Sequence, residues 1–328
     1  MLTLSGSRRA YLRAGLAGIA MSTAGRGLAE ALAPVQRDRR GPSVWLGMDQ
    51  AELDAAYDQT VWTPNLQQVI ARNTANSECA RARLGPPLHY DYGPTAIEGL
   101  DVYRTKVPGA PINIFIHGGA WRQARARDFA FLADLFVEAG AHLVVPDFAW
   151  VQDVGGNLGT LADQVRRAVA WVYRNASRFG GDPERIYVSG HSSGGHLAGV
   201  LLTTDWQQAF GLPGDMIKGG LCVSGMFDLK PVRLSARSRY IAFTDEIEQA
   251  LSPQRHVDQL RAPLIVAYAS FDSPEFQRQA RDFAAAVEKA GSPVQLLVAE
   301  GYNHIEAVEI MGNPYSILGR AVLQQMAL

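Results

Sequence analysis

A chain of 328 residues with 47% hydrophobic content can bury a large core, and a single α/β domain of this size is ordinary. Its formal net charge of -1 gives no electrostatic footprint for nucleic acid or for an anionic membrane. Neither Cys79 nor Cys222 belongs to a Cys/His cluster with zinc-ligand spacing, and Cys222, inside an apolar run, reads as a core thiol rather than half of a disulfide.

The first elements in chain order do not look like fold. Ser7-Arg8-Arg9-Ala10-Tyr11-Leu12-Arg13 precedes a weakly apolar Ala/Gly stretch, and no acid appears before Glu30. The apolar stretch is too short to span a bilayer. Residues 1–33 therefore read as a bacterial export signal of the twin-arginine kind, which sends the protein to the periplasm or outside the cell without a stable membrane anchor. Pro34 speaks against a cut directly after Ala33. The alternative is a basic tail on a cytoplasmic protein.

Residues 45–328 read as one domain, with an N-terminal helical addition over roughly 49–84. There Leu53, Ala56 and Tyr57 share one face, and Leu66, Val69, Ile70 and Asn73 recur at helical spacing. Pro86-Pro87 ends it. Strands are expected at 88–92 and 99–105, paired antiparallel, and then at 112–116, 142–146, 186–189, 221–224, 264–269 and 294–299. Helical stripes lie between them: Phe129/Leu132/Ala133/Phe136, Leu161/Val165/Ala168/Val169/Val172 and Phe276/Ala280/Phe283/Val287. Asn313-Pro314 looks like the cap and first turn of a closing helix. Residues 231–256 have weaker periodicity and read as a small lid. Strands alternating with helices imply a mostly parallel central sheet covered on both faces, with ligands outside the carboxyl ends of its strands.

The chemistry centres on Gly190-His191-Ser192-Ser193-Gly194, set between a strand and a helix. The bare Gly-x-Ser-x-Gly pattern is common. On a sharp strand-to-helix turn it becomes a nucleophile held in strained backbone, with a helix N-terminus pointing its free N–H groups at the reacting centre. His117-Gly118-Gly119-Ala120-Trp121 follows the 112–116 strand, so the amides of Gly118 and Gly119 can approach a substrate carbonyl unobstructed. The amide of Ser193 completes an oxyanion hole. His304, in a loop after the last strand, is the expected base. His196 lies on the helix after the elbow and His256 in the lid segment. Asp272, at the end of the 264–269 strand, is the expected acid, with Asp228 at the preceding strand end as its rival for a role that a turn or cap bond also explains. Trp121 is a candidate pocket wall, as are Tyr240 and Phe243, though all three suit an ordinary core.

These motifs, with Asp272-Ser273-Pro274-Glu275-Phe276 and Asn303-His304, resemble the α/β-hydrolase superfamily over residues 45–328. Within it the chain is similar to the kynurenine formamidase (arylformamidase)-like and hormone-sensitive-lipase-like esterase branch. Asp49 to Tyr57 resembles the N-terminal helix of formamidase-like members. The resemblance implies a cofactor-free serine hydrolase acting on a small-molecule ester, or alternatively on an N-formyl or N-acyl amide, with no metal and an open oligomeric state. Ala120 stands where many lipase-like esterases carry a third glycine, which favours the formamidase-like branch; an export signal sits badly with cytoplasmic tryptophan catabolism. A non-catalytic binding protein on the same fold would usually lack a triad member, and none is missing here.

Overall fold

The computed structural model describes residues 41–328, which form one compact unit; the expected export signal lies outside the described residues. Eight strands make one sheet: β1 Leu88–Asp91, β2 Gly99–Tyr103, β3 Ala110–Ile116, β4 His142–Pro146, β5 Gly181–His191, β6 Ile217–Val223, β7 Leu264–Ala269 and β8 Val294–Ala299. Their spatial order is β1-β2-β4-β3-β5-β6-β7-β8. The first two join antiparallel and everything from β4 to β8 runs parallel.

Parallel strands require crossovers, and the helical stripes supply them. In chain order the helices are α1 Gln50–Ala56, α2 Gln59–Trp62, α3 Leu66–Leu84, α4 Ala133–Glu138, α5 Leu158–Asn175, α6 Ser193–Leu202, α7 Trp206–Phe210, α8 Leu229–Leu234, α9 Asp245–Ala250, α10 Pro274–Lys289, α11 His304–Met311 and α12 Ile317–Gln325. Strand side chains alternate between two cores. Ile112, Ile114, Ile116, Val188, Cys222 and Val266 join α1, α5, α6 and α10 on one face. Phe115, Leu143, Tyr187, Leu221, Val223 and Ile265 join α4, α11 and α12 on the other. Strand β7 is buried along its whole length, whereas the edge strand β8 is buried only at its last residue.

Local structure differs from expectation at three places. The stripe from Phe129 to Phe136 is not one helix but a 3-10 segment, Ala126–Leu132, leading into α4. In α3 the buried line is Val69, Asn73, Ser77 and Ala80, and Ile70 stays 41% exposed, because the face that packs against residues 126–132 needs small and polar side chains: Ser77 Oγ donates to the Asp128 carbonyl at 2.8 Å. The closing helix is capped by Ser316, whose Oγ accepts from Gly319 N–H at 2.8 Å. Asn313 instead spends its side chain on the Tyr315 N–H, forming the turn before it. The cysteines are both free thiols.

The segment expected as a lid folds as α8, a 3-10 turn at Ala236–Arg239, α9 and a further 3-10 turn at Pro253–Arg255. It is tied to the body by Ala242 N–H, which donates to the Gly156 carbonyl at 2.9 Å, and by Ala236 N–H, which donates to Asp54 Oδ1 at 2.6 Å.

Candidate active site

Strand β5 delivers Ser192 at its carboxyl end, where the chain reverses into α6. Ser192 has φ 58° and ψ -124°, a conformation that costs a non-glycine residue on the order of 1–3 kcal/mol. The surroundings enforce it. Ser192 N–H donates to the Val223 carbonyl at 2.9 Å, and its own carbonyl accepts from His196 N–H at 3.0 Å. A Cβ on Gly190 would run into the Gly194 carbonyl, and one on Gly194 into the Ile116 carbonyl. The flanking glycines thus let strand, turn and helix pack without intervening side chains.

The side chain that meets Ser192 is His304, the first residue of α11. Ser192 Oγ–H donates to His304 Nε2 at 2.9 Å. His304 Nδ1–H in turn donates to Asp272 Oδ1 at 2.6 Å. The other carboxylate oxygen, Oδ2, accepts from Ser224 Oγ–H at 2.6 Å and from Ala269 N–H at 2.8 Å. Asp272 and His304 are buried and Ser192 keeps 7% of its surface exposed. Burial alone would push the Asp272 carboxyl up. The electrostatic pull of the neighbouring His304 ring and the bonds from His304, Ser224 and Ala269 outweigh that and hold it below the ordinary carboxylate value. The acid therefore stays ionised and fixes the imidazole tautomer.

Two residues that sequence reasoning passed over complete the arrangement. Ser224, at the end of β6, anchors the carboxylate. His191, the variable position before Ser192, donates from Nε2 to the His304 carbonyl at 2.7 Å and so holds the backbone of the imidazole-bearing residue. Burial, and then the neighbouring His304, drive the His191 pKa down to about 3, so it is a neutral spacer. Ser224 carries one signal in the sequence, a polar residue at a strand's carboxyl end; His191 carries none.

The 117–121 turn lies against the elbow. A Cβ on Gly118 would sit 3.3 Å from Ser192 Cβ, and Gly119 has φ +110°. Ala120 and Trp121 also have positive φ, 55° and 60°. Trp121 N–H donates to Ser193 Oγ at 3.2 Å, strapping this turn to the start of α6. The N–H groups of Gly119 and Ser193 donate to no protein acceptor among the described residues. Trp121 itself is buried, edge-on to His196 at 5.2 Å, and its indole N–H has no partner among the described residues.

The remaining candidates lie elsewhere. His196 is buried and its Nε2–H donates to the Leu251 carbonyl at 2.7 Å. His256 donates from Nε2 to the Gln249 carbonyl and borders a cleft with Asp163 and Arg166 that does not include Ser192. Asp228 caps α8 and pairs with Arg255 at 3.1 Å. Tyr240 accepts from Arg237 at 2.8 Å. The N-terminal helices reach the site through a latch: Asn303 Nδ2–H donates to Asn65 Oδ1 at 2.8 Å, and Asn65 Nδ2–H donates to Glu306 Oε1 at 2.8 Å. Asn303 also caps α11 with Glu306 in a capping box, which fixes the helix whose first residue is His304.

A family model described as BD-FAE matches residues 100–218. Kynurenine formamidase of Danio rerio is 31% identical over 297 residues, covering 87% of this chain and 99% of that one. Esterase LipC of Mycobacterium tuberculosis is 28% identical over 238 residues, covering 67% of this chain and 57% of that one. Among solved structures, the thermophilic carboxylesterase EstE1 from a metagenomic library superposes with a TM-score of 0.62 at 19% identity, covering 80% of this chain and 95% of that one. Fold and relatives together define a hydrolase of esters or amides. The chain belongs to the α/β-hydrolases, in the branch of kynurenine formamidase-like and hormone-sensitive-lipase-like esterases.

Proposed function

We propose that this chain is a serine hydrolase that cleaves a small carboxylic ester through an acyl-enzyme. The observation that carries the reading is the unbroken hydrogen-bond line Ser192–His304–Asp272, ending on Ser224. His304 Nε2 takes the Ser192 proton as Oγ attacks the carbonyl, and the oxygen that becomes negative lies against the amides of Gly118, Gly119 and Ser193. Ionised Asp272 stabilises the imidazolium, which then protonates the leaving group. Water, deprotonated by the same imidazole, releases the acid and restores Ser192.

A second reading has its own support. The 31% identity to a kynurenine formamidase over almost its full length favours the same machinery acting on a small N-formyl or N-acyl amide. Parallel turnover of p-nitrophenyl acetate and N-formylkynurenine separates the two. Labelling of the wild type by a fluorophosphonate, absent in Ser192→Ala, tests the shared mechanism; an unlabelled wild type overturns it. Residues 1–33 support export to the periplasm, and retention of the full chain in the cytosolic fraction of a bacterial host overturns that part.

A further inference from the structure

Arg237, in the 3-10 turn Ala236–Arg239, is 7% exposed. A buried charge is normally matched by an opposite one. The other arginines of this region follow that rule: Arg233 pairs with Asp245 and Glu248, Arg255 with Asp228 and Glu248, and Arg278 with Glu275 and Asp282. Among the described residues no carboxylate lies within ion-pair distance of Arg237. It donates from one terminal nitrogen to Tyr240 Oη at 2.8 Å and from the other to the Tyr57 carbonyl at 2.9 Å, and its Nε–H is buried without an acceptor.

Its neighbours fix where this unmatched charge lies. The guanidinium carbon is 5.6 Å from the Trp121 ring centre and 5.8 Å from that of Tyr57. Trp121 ends the glycine turn beside Ser192 and is strapped to Ser193. Tyr57 packs edge-on to Phe276 at 5.6 Å, and Phe276 lies 4.6 Å from the His304 ring. The guanidinium therefore lies against the residue that ends the oxyanion turn, and two rings, Tyr57 and Phe276, stand between it and the imidazole. The ring faces soften the charge but accept no bond from Nε. Two more orphans share the neighbourhood: the Trp121 indole N–H, and the Gln59 side-chain amide, two residues on from the Tyr57 carbonyl that Arg237 holds.

We propose that Arg237 determines specificity by binding a carboxylate on the substrate, with the Trp121 indole N–H as a neighbouring donor, so that the preferred ester or amide is anionic. The proposal rests on Ser192 being the nucleophile. The substrate supplies the counter-charge that the described residues lack, and a guanidinium fork is the group best shaped to receive it.

The test uses the full chain and two matched pairs. In one, the carboxylate is on the acyl side: p-nitrophenyl hemiglutarate against p-nitrophenyl glutaramate. In the other it is on the leaving-group side: 4-acetoxyphenylacetic acid against 4-acetoxyphenylacetamide. In at least one pair, wild-type kcat/KM for the carboxylate exceeds that for its carboxamide twin about tenfold or more. Arg237→Gln collapses that ratio and Arg237→Lys retains part of it. A residue that only clamps the 236–239 turn to Tyr57 would lower both members alike, and an equal loss in Arg237→Gln overturns the proposal. So does a wild-type ratio near one in both pairs, a measurement that needs no variant to fold. An enzyme that is labelled by a fluorophosphonate and cleaves the carboxamides as well as the carboxylates overturns this proposal alone; one that is unlabelled and inactive on all four compounds overturns the nucleophile as well.

Discussion

The turn at Ser192 and the helical segment at 49–84 both border the site, yet they are held by different means. The turn is set by backbone: positive φ, carbonyl contacts that tolerate no Cβ, and bonds to the end of β6. The segment is set by side chains: Asn65 on Asn303 and Glu306, Tyr57 on Glu275, and Ser273 on the Ala56 carbonyl. Backbone-built geometry cannot be adjusted by one substitution without moving the chain. Side-chain-built geometry can lose one bond and keep the rest. The reaction should therefore depend steeply on the first region, and substrate choice should be tuned by the second.

The steepest break is Ser192→Ala, which should lower kcat by a factor on the order of 10⁴ to 10⁶ with the fold intact. Gly194→Ala comes next. Its methyl group drives the elbow away from the Ile116 carbonyl, and turnover should fall about a hundredfold from misplacement alone, with a lowered melting temperature. Ser224→Ala keeps the Ala269 bond to Asp272 but removes the hydroxyl; kcat should drop about tenfold and stability by about 1–3 kcal/mol, read from denaturant melts. On the other side, Asn65→Ala cuts both arms of the latch, and should cost about 1 kcal/mol with a change in kcat/KM of less than about threefold. An Asn65 variant as damaging as Gly194→Ala would erase the contrast.

Acid sharpens the same comparison, because three of the buried imidazoles, His117, His191 and His196, lie on the strand-end side, while His142 sits at the start of β4. Burial depresses His117 to about 4, His191 to about 3 and His196 to about 4, so each is neutral when folded and gains a proton on unfolding once the pH falls below its ordinary value of about 6.5. Asp147, raised by burial to about 6, works in the opposite sense: it is protonated in the folded chain between about pH 4 and 6 and releases that proton on unfolding. His142, which burial also holds below its ordinary value, adds a fourth uptake, and four uptakes less one release leave a net uptake of about two to three protons. Stability should thus fall as pH falls from about 6 to 4, by roughly 3 kcal/mol per pH unit, measurable as the pH dependence of the denaturant midpoint.

Much of the fold could be read in advance because a parallel sheet buried on both faces writes its strands as continuous apolar runs. The runs at 142–146 and 264–269 coincide with β4 and β7, buried at every residue, and 294–299 coincides with β8, the edge strand that buries only its last residue. Candidate site residues were legible for a related reason: Ser192, Asp272 and His304 each follow such a run closely. What escaped depends on pairing between distant positions. Nothing local tells Ser224 that Asp272 lies beside it, or Asn65 that Glu306 does. The unmatched charge on Arg237 becomes visible only once the carboxylates of the described residues have positions. Around Asn313 two caps compete, and only the Ser316 hydroxyl is placed to receive the Gly319 N–H.

The uneven burial of the sheet bears on how the molecule fails when heated. Strand β8, which leads to His304, is the outermost strand on its side and stays largely wet, while β5, which leads to Ser192, lies between two neighbours. Peripheral strands open at lower free energy than central ones. Warming should therefore detach the proton acceptor while the hydroxyl is still mounted on intact structure. Catalysis would be extinguished some degrees before the circular-dichroism signal of the sheet is lost, and cooling from that interval would restore it.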